Sequence, residues 1–177
     1  MDATLDGGTH TEAIAVEVKV EYINPFIESV HQLFTTMLGC SATRGNLNLS
    51  EGGGKPREIT ALIGLSGMAR GTVALSFPVE TALKIVTKLV GTETTIVDET
   101  VSDGVAELVN MVAGDAKARF PRFQENPIDL SLPTVVRGNS YSVKHPSRAK
   151  WLEVPFTSDL GSFSLRVIFE SEQRMEG

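Results

Sequence analysis

The chain has 177 residues, of which 41% are hydrophobic and 21% are charged, so it is long enough to bury one sizeable core. Its 16 basic and 22 acidic residues give a net charge of −6, which works against a non-specific grip on nucleic-acid phosphates. Cys40 is the single cysteine, which excludes an internal disulfide and favours a reducing compartment.

The first residues carry neither the basic segment nor the apolar run of a signal peptide, and no apolar run approaches the ~20 residues of a membrane span. We therefore expect a cytoplasmic protein that does not enter a membrane. Residues 1–15 are predicted to form a flexible tail ahead of a single domain over residues 16–177. Apolar and other residues alternate from Ile14 to Val20, which indicates a short edge strand or an extended lead-in.

A first helix is predicted to begin at Asn24-Pro25, because asparagine suits the N-cap and proline tolerates the first helical position. It should end at Leu38, before Gly39. Its predicted apolar stripe consists of Tyr22, Phe26, Val30, Leu33, Phe34 and Met37. Asn24, Glu28 and His31 lie on the opposite face at i, i+4, i+7 spacing.

The remaining elements alternate between strands and helices. Strands are predicted at 45–50, 58–65, 72–77, 130–137, 151–157 and 162–170, and helices at 78–90 and from Asp98 to near Phe120. Residues 138–147 are polar and predict the turn of a hairpin between two of the late strands. The order is helix, three strands, helix, helix, three strands, so we expect a two-layer α+β fold with internal pseudo-symmetry and helices packed on a mainly antiparallel sheet.

The helix that Asp98 opens carries the most informative surface. Its core stripe is predicted to consist of Val101, Val105, Leu108, Val109, Val112 and Ala116. Asp103, Glu107 and Asn110 lie on the opposite side, again at i, i+4, i+7 spacing. Gly114 follows one turn later and would let another surface come close. A polar face of this kind is found on any surface helix, so amphipathicity alone leaves its role open.

Several common catalytic motifs fail on spacing. The glycines at 52–54 precede Lys55, but Leu49 and Pro56 occupy the other positions that a phosphate-binding loop requires. Met68 replaces the final glycine of a nucleophile elbow. The three histidines lie far apart and, with one cysteine, form no zinc motif, so we expect no metal site in this chain.

The spacing Asp103-x₃-Glu107-x₂-Asn110-x₂₂-Pro133 matches the signature of the CheC/CheX/FliY family, phosphatases of the chemotaxis response regulator CheY. Residues 23–27 also resemble the start of that family's first helix, and residues 58–78 resemble its central hairpin. The first helix carries His31 where a second copy of the signature would carry an amide. The chain therefore resembles the CheX-like branch, with a CheC-like fold and a degenerate first site at Asn24, Glu28 and His31.

This resemblance implies an aspartyl-phosphate phosphatase with no covalent intermediate. In that reading Asn110 orients the attacking water and Glu107 pairs with a lysine of the phosphorylated response regulator, which itself holds the Mg²⁺. Asp103, Gly114 and Pro133 support the site. CheX-like proteins pair through their sheets, so a homodimer is expected. The alternatives are a non-catalytic module of the same fold that binds a response regulator or another signalling protein and, third, a flagellar-switch component.

Overall fold

The computed structural model describes residues 8–50, 58–67, 69–120, 128–139, 141–145 and 149–170, with side chains described from residue 21 onward. This part of the chain forms three helices and eight strands. In chain order they are α1 (Gly8–Met37), β1 (Ala42–Arg44), β2 (Asn48–Ser50), β3 (Ile59–Gly67), β4 (Gly71–Phe77), α2 (Val79–Val90), α3 (Glu99–Ala118), β5 (Ile128–Leu130), β6 (Thr134–Arg137), β7 (Trp151–Ser158) and β8 (Gly161–Phe169).

The described strands form one sheet with the order β1-β7-β8-β4-β3-β5, in which β2 also pairs with β7 and β6 also pairs with β3. All of these pairings are antiparallel. The helices contribute their apolar stripes, and the strands alternate residues, to one large hydrophobic core. The predicted two-layer α+β architecture is therefore confirmed.

The sheet is pseudo-symmetric about the central β4–β8 pair. Each half supplies a helix, a two-segment edge strand and a hairpin, and each edge strand pairs with the hairpin of the other half. The two edge strands are interrupted in the same way. Residues 131–133 face residues 63–64 of β3, and residues 45–47 face residues 154–155 of β7, so both bulges set three residues against two. The internal repeat predicted from the helices thus extends to the register of the sheet.

The α2 and α3 helices begin and end where the sequence predicts. Pro78 occupies the N-cap position of α2, and Gly91 ends the helix in the left-handed conformation at φ 74°. Asp98 caps α3, since its Oδ1 accepts a hydrogen bond of 3.2 Å from the Val101 amide. Only glycine adopts the conformation of residue 91 at little cost, which explains why the helix stops there.

The start of the first helix is not at Asn24, and the strand predicted from Ile14 is wrong. From Gly8 to Met37 the backbone is one helix with Pro25 inside it. The apolar residues that alternate from Ile14 also recur at i, i+4 spacing through Tyr22, and glutamate, lysine and alanine between them are good helix formers. Residues 1–7 of the predicted tail lie outside the described residues, and 8–15 are helical.

The hairpin predicted at residues 138–147 is also wrong. The β6 and β7 strands pair with β3 and β8 in opposite halves of the sheet, so the chain between them crosses over. In this connection the Tyr141 hydroxyl lies 2.7 Å from Thr60 Oγ1, on the sheet face away from the helices. Burial raises the pKa of Tyr141, although the hydrogen bond with Thr60 acts in the opposite direction.

Candidate functional site on α3

The α3 helix is held on the core by its inner face. Its buried residues are Val101, Gly104, Val105, Leu108, Val109, Val112, Ala113 and Ala116. Gly104 is needed for a close approach to α2, because a Cβ there would lie 2.7 Å from Cγ2 of Val86. The packing fixes the rotation of α3 and therefore which side chains point outward.

Asp103, Glu107 and Asn110 are all exposed on the outer face of α3, as the sequence predicts. With a rise of about 1.5 Å per residue, Glu107 and Asn110 lie about 4.5 Å apart along the helix axis. Within the described part of the chain, neither side chain makes a hydrogen bond or an ion pair. The fold thus positions the Glu107 carboxylate and the Asn110 amide, but neither side chain contributes a polar contact to it.

Asn110 points toward one flank of the helix. Two other residues of α3 mark the side that faces the neighbouring helices: Asp115 contacts Ser29 of α1, and Gly104 contacts Val86 of α2. Viewed down the helix axis, Asp115 lies about 140° from Asn110 and Gly104 about 120° from it, both in the same direction of rotation. The opposite flank of α3 faces β5 and β6, both of which contact the helix. Asn110 therefore projects on the side of the β5–β6 edge.

Pro133 lies on that same edge, in the bulge between β5 and β6. It is half-buried and comes directly before β6, where its missing N–H removes nothing from the strand pairing. Gly114 lies one turn beyond Asn110, and apart from its own helix no described residue lies within 4 Å of where its Cβ would be. Asn110 and the edge with Pro133 thus lie on one flank of α3, and Gly114 lies about 40° around the helical wheel from Asn110.

The corresponding face of α1 is committed to contacts within the chain. Glu28 forms a 3.2 Å ion pair with Arg119 at the end of α3. The His31 ring is half-buried and meets Phe156 edge to face, with ring centroids 5.6 Å apart. Asn24 remains exposed. In the degenerate copy the acid and the ring thus already have partners, and His31 is half-buried where the equivalent Asn110 of α3 is exposed.

Sequence reasoning missed the polar contacts that join α1 to α3. Partial burial raises the pKa of Asp115, but hydrogen bonds from Ser29 and Arg119 outweigh burial and hold this pKa below its usual range. Arg119 Nε donates to Asp115 Oδ2 at 2.7 Å and also reaches Glu28. The i, i+4 spacing of Asp115 and Arg119 was a visible signal, whereas the contact with Glu28 required the tertiary structure.

Asp103, Glu107 and Asn110 lie on an exposed helix surface. A groove of about 660 Å³ exists elsewhere, between α2 and the 91–95 connection, with Lys84 and Leu160 in its lining. The described residues contain no cluster of three His, Cys, Asp or Glu side chains that could hold a metal ion. Among those residues, no helix is long and apolar enough to span a membrane.

A pseudo-symmetric α+β fold with an uncommitted acid and amide on one exposed helix places this chain among the CheC-like proteins. A family model described as chemotaxis phosphatase CheX matches residues 59–157, a range that contains α3 and Pro133 and starts after α1. The chain belongs to the CheX family of chemotaxis phosphatases.

Individual relatives agree with this assignment. The CheY-P phosphatase CheX of Thermotoga maritima is 30% identical over 123 residues, which are 69% of this chain and 79% of that protein. The crystal structure of a CheC-like superfamily protein from Shewanella sp. PV-4 is 31% identical, with a TM-score of 0.77 over 86% of this chain and 99% of that one. A CheX–CheY–BeF₃–Mg²⁺ complex from Borrelia burgdorferi shares the fold at 23% identity, with a TM-score of 0.70 over 85% and 98% of the two chains.

Proposed function

We propose that this chain hydrolyses the aspartyl phosphate of a CheY-like response regulator. The uncommitted pair of Glu107 and Asn110 on α3 carries the proposal, since an exposed acid and amide on a rigid helix are suited to enter a partner's active site. Membership of the CheX family and the name of the Thermotoga relative support the same substrate.

The reaction needs little covalent chemistry from this chain. An aspartyl phosphate is an acyl phosphate, which is intrinsically prone to hydrolysis. The water oxygen bonds to phosphorus while the bond to the aspartyl oxygen breaks, the carboxylate leaves with the electron pair, and the water proton passes to the departing phosphate. Catalysis then consists of placing the water in line with the breaking bond and stabilising charge. No phosphorylated or acylated form of this protein is required.

Asn110 orients the water in this mechanism. An amide offers a donor and an acceptor together and keeps its protonation state across the physiological pH range. Glu107 pairs with a lysine near the regulator's phosphoryl group and so fixes the approach of α3. The Mg²⁺ belongs to the regulator. Asp103, one turn before Glu107, either supports the placement of Glu107 or only stabilises the first turns of the helix through its charge.

The test is dephosphorylation of a receiver domain from the same genome, loaded with a small phosphodonor and Mg²⁺. Asn110→Ala should lower kcat by about 100-fold, the usual effect of losing one positioned polar group at a reacting centre. Glu107→Gln should mainly raise KM. His31→Ala and Glu28→Gln serve as matched controls in the degenerate face, and both should leave turnover within about twofold of wild type.

Unchanged turnover after both α3 substitutions would contradict the mechanism. If the wild type instead binds the phosphorylated regulator and leaves its phosphate lifetime unchanged or longer, the chain is a binding module of the same fold. We further propose that the protein acts in the cytoplasm as a homodimer paired through its sheets. Sedimentation at several protein concentrations measures that state, and a monomer at micromolar concentration would contradict it.

A further inference from the structure

Leu132 is the most exposed large apolar side chain among the described residues, at 88%. It lies in the bulge between β5 and β6, directly before Pro133. A single exposed leucine is ordinary on a protein surface. Leu132 differs from an ordinary exposed leucine in three ways: its position in the fold, the contacts that hold its backbone, and the lack of an apolar residue at the equivalent position of the other half.

The bulge holds Leu132 outward through its neighbour. The Ser131 amide donates to the Gly64 carbonyl at 2.9 Å, and Ser131 Oγ accepts from the Gly64 amide at 2.8 Å. Gly64 is suited to this contact because a Cβ there would lie 3.3 Å from the serine Oγ. With Ser131 fixed on one side and the restricted proline on the other, the backbone at residue 132 is presented rigidly.

The bulge lies level with Asn110 along α3. Arg137, at the far end of β6, donates to the carbonyl oxygens of Val97 and Asp98 at the start of the helix. From Arg137 back to Leu132 is about 16 Å at about 3.3 Å per strand residue, and from Asp98 to Asn110 is about 18 Å at about 1.5 Å per helix residue. Leu132 and Asn110 therefore stand at a similar height along α3, with Leu132 in the exposed bulge of the sheet edge that lies beside this helix.

The other half of the molecule provides an internal comparison. Its bulge at residues 45–47 has the same three-against-two register, and the Gly45 amide donates to the Pro155 carbonyl at 2.7 Å. The position equivalent to Leu132 is Asn46, which is polar and exposed. The exposed leucine thus occurs in the half with the free acid and amide, and a polar residue occurs in the half where Glu28 is engaged.

We propose that Leu132 is an apolar docking contact for the response regulator, beside the reacting centre. This inference rests on the proposed function. Leu132 would cover an apolar part of the receiver surface next to the phosphorylated pocket when Asn110 enters it. It is a positioning residue, because it touches the partner and not the phosphoryl group. Its removal should weaken docking and leave the chemical step intact.

Steady-state dephosphorylation and binding to a BeF₃⁻-activated receiver domain test the inference together. Leu132→Ser should raise both KM and Kd about tenfold, as expected for an apolar side chain that is covered on docking, with kcat within about twofold. Leu132→Met should restore wild-type KM. Leu49→Ser is the matched control, because Leu49 is an exposed leucine, at 47%, on the edge strand of the other half.

The outcomes are distinguishable. If the wild type turns over and Leu132→Ser keeps its KM and Kd, the docking role is wrong while the proposed function stands. If the wild type binds without turnover and Leu132→Ser weakens binding, the docking role stands and the phosphatase activity fails. If Leu49→Ser weakens binding as much as Leu132→Ser, or if the wild type does not bind the activated receiver domain, the inference is overturned.

Discussion

Replacing Gly114 by alanine separates the stability of α3 from its use as a docking surface. Among the described residues outside α3 itself, none lies within 4 Å of the new Cβ, so the substitution introduces no clash with them. Alanine is favoured over glycine in a helix interior by roughly 0.5–1 kcal/mol. For a chain of this length each kcal/mol shifts Tm by about 2–4 °C, so Gly114→Ala should raise Tm by about 1–4 °C.

The same methyl group should weaken function. It is added one turn from Asn110, beside the face where a partner would approach, so KM for the phosphorylated regulator should rise several-fold. Thermal unfolding followed by circular dichroism measures the first effect, and initial rates at varied regulator concentration measure the second. The expected combination is a more stable protein that docks less well, a trade-off common at functional surfaces.

Gly104→Ala is the control within the same helix. Its Cβ would lie 2.7 Å from one methyl of the buried Val86, and overpacking of this kind costs about 1–3 kcal/mol, which exceeds the propensity gain. A net loss of roughly 1 kcal/mol is expected. If Gly114→Ala also destabilises the protein, the added methyl group meets a neighbour and Gly114 does not face open space. If Gly114→Ala is stabilised and keeps its KM, Gly114 has no role in docking.

Three further substitutions test the scaffold. Asp98→Ala removes the α3 cap and should cost about 1 kcal/mol in urea unfolding, without a change in the m-value. Gly161→Ala should cost at least about 2 kcal/mol in the same experiment, because φ is +123° and the added Cβ would overlap the Thr81 hydroxyl. The pKa of Asp115 is lowered in the folded state, so its contribution is present above the ordinary value of 3.8 and is lost as the pH falls through the folded pKa. The stability difference between wild type and Asp115→Asn should therefore shrink as the pH falls below about 4, and a constant difference would contradict this assignment.

The sequence predicted those parts of the fold in which local and tertiary preferences agree. The α2 and α3 helices begin at a favourable cap, carry a regular apolar stripe, and their ends were predicted within a few residues. The β3–β4 pair likewise joins two apolar strands that are close together in the sequence. At residues 14–20 the sequence fits two kinds of structure. The alternation of apolar residues fits a strand, but the same apolar residues also fall on one stripe of a helix. The later part of α1 packs on the core as a regular helix, which is consistent with residues 14–20 continuing that helix and not forming a strand.

The interrupted edge strands could not be located from the sequence. Residues 130–137 were predicted as one continuous strand, yet the register places a bulge at 131–133 that is stabilised by contacts with Gly64, far away in the chain. Sequence reasoning likewise placed a hairpin at 138–147, because polar residues between two strands usually form a turn. The strands on either side pair in different halves of the sheet, and no local pattern encodes that choice.

The candidate residues on α3 and their outward direction were predicted, but the reason that one face is free and the other is not came only from the tertiary structure. Glu28 and Glu107 occupy equivalent positions in the two halves. Arg119 extends from the end of α3 to Glu28, whereas no described residue from α1 reaches Glu107 in return. The pseudo-symmetry is therefore broken by one arginine and one histidine ring, which pack the α1 face into the fold.

This asymmetry bears on where a partner can dock. A regulator approaching the α1 face would have to displace the Glu28–Arg119 ion pair and the contact between His31 and Phe156 before it met a free acid or amide. An exposed ion pair alone costs little to break, about 0–1 kcal/mol, but the half-buried ring must also leave its aromatic neighbour. Docking on the α3 face requires no such rearrangement, because Glu107, Asn110 and the neighbouring Leu132 are already exposed. A rigid, unoccupied surface loses less free energy on binding than one that must first be cleared, which favours docking on α3.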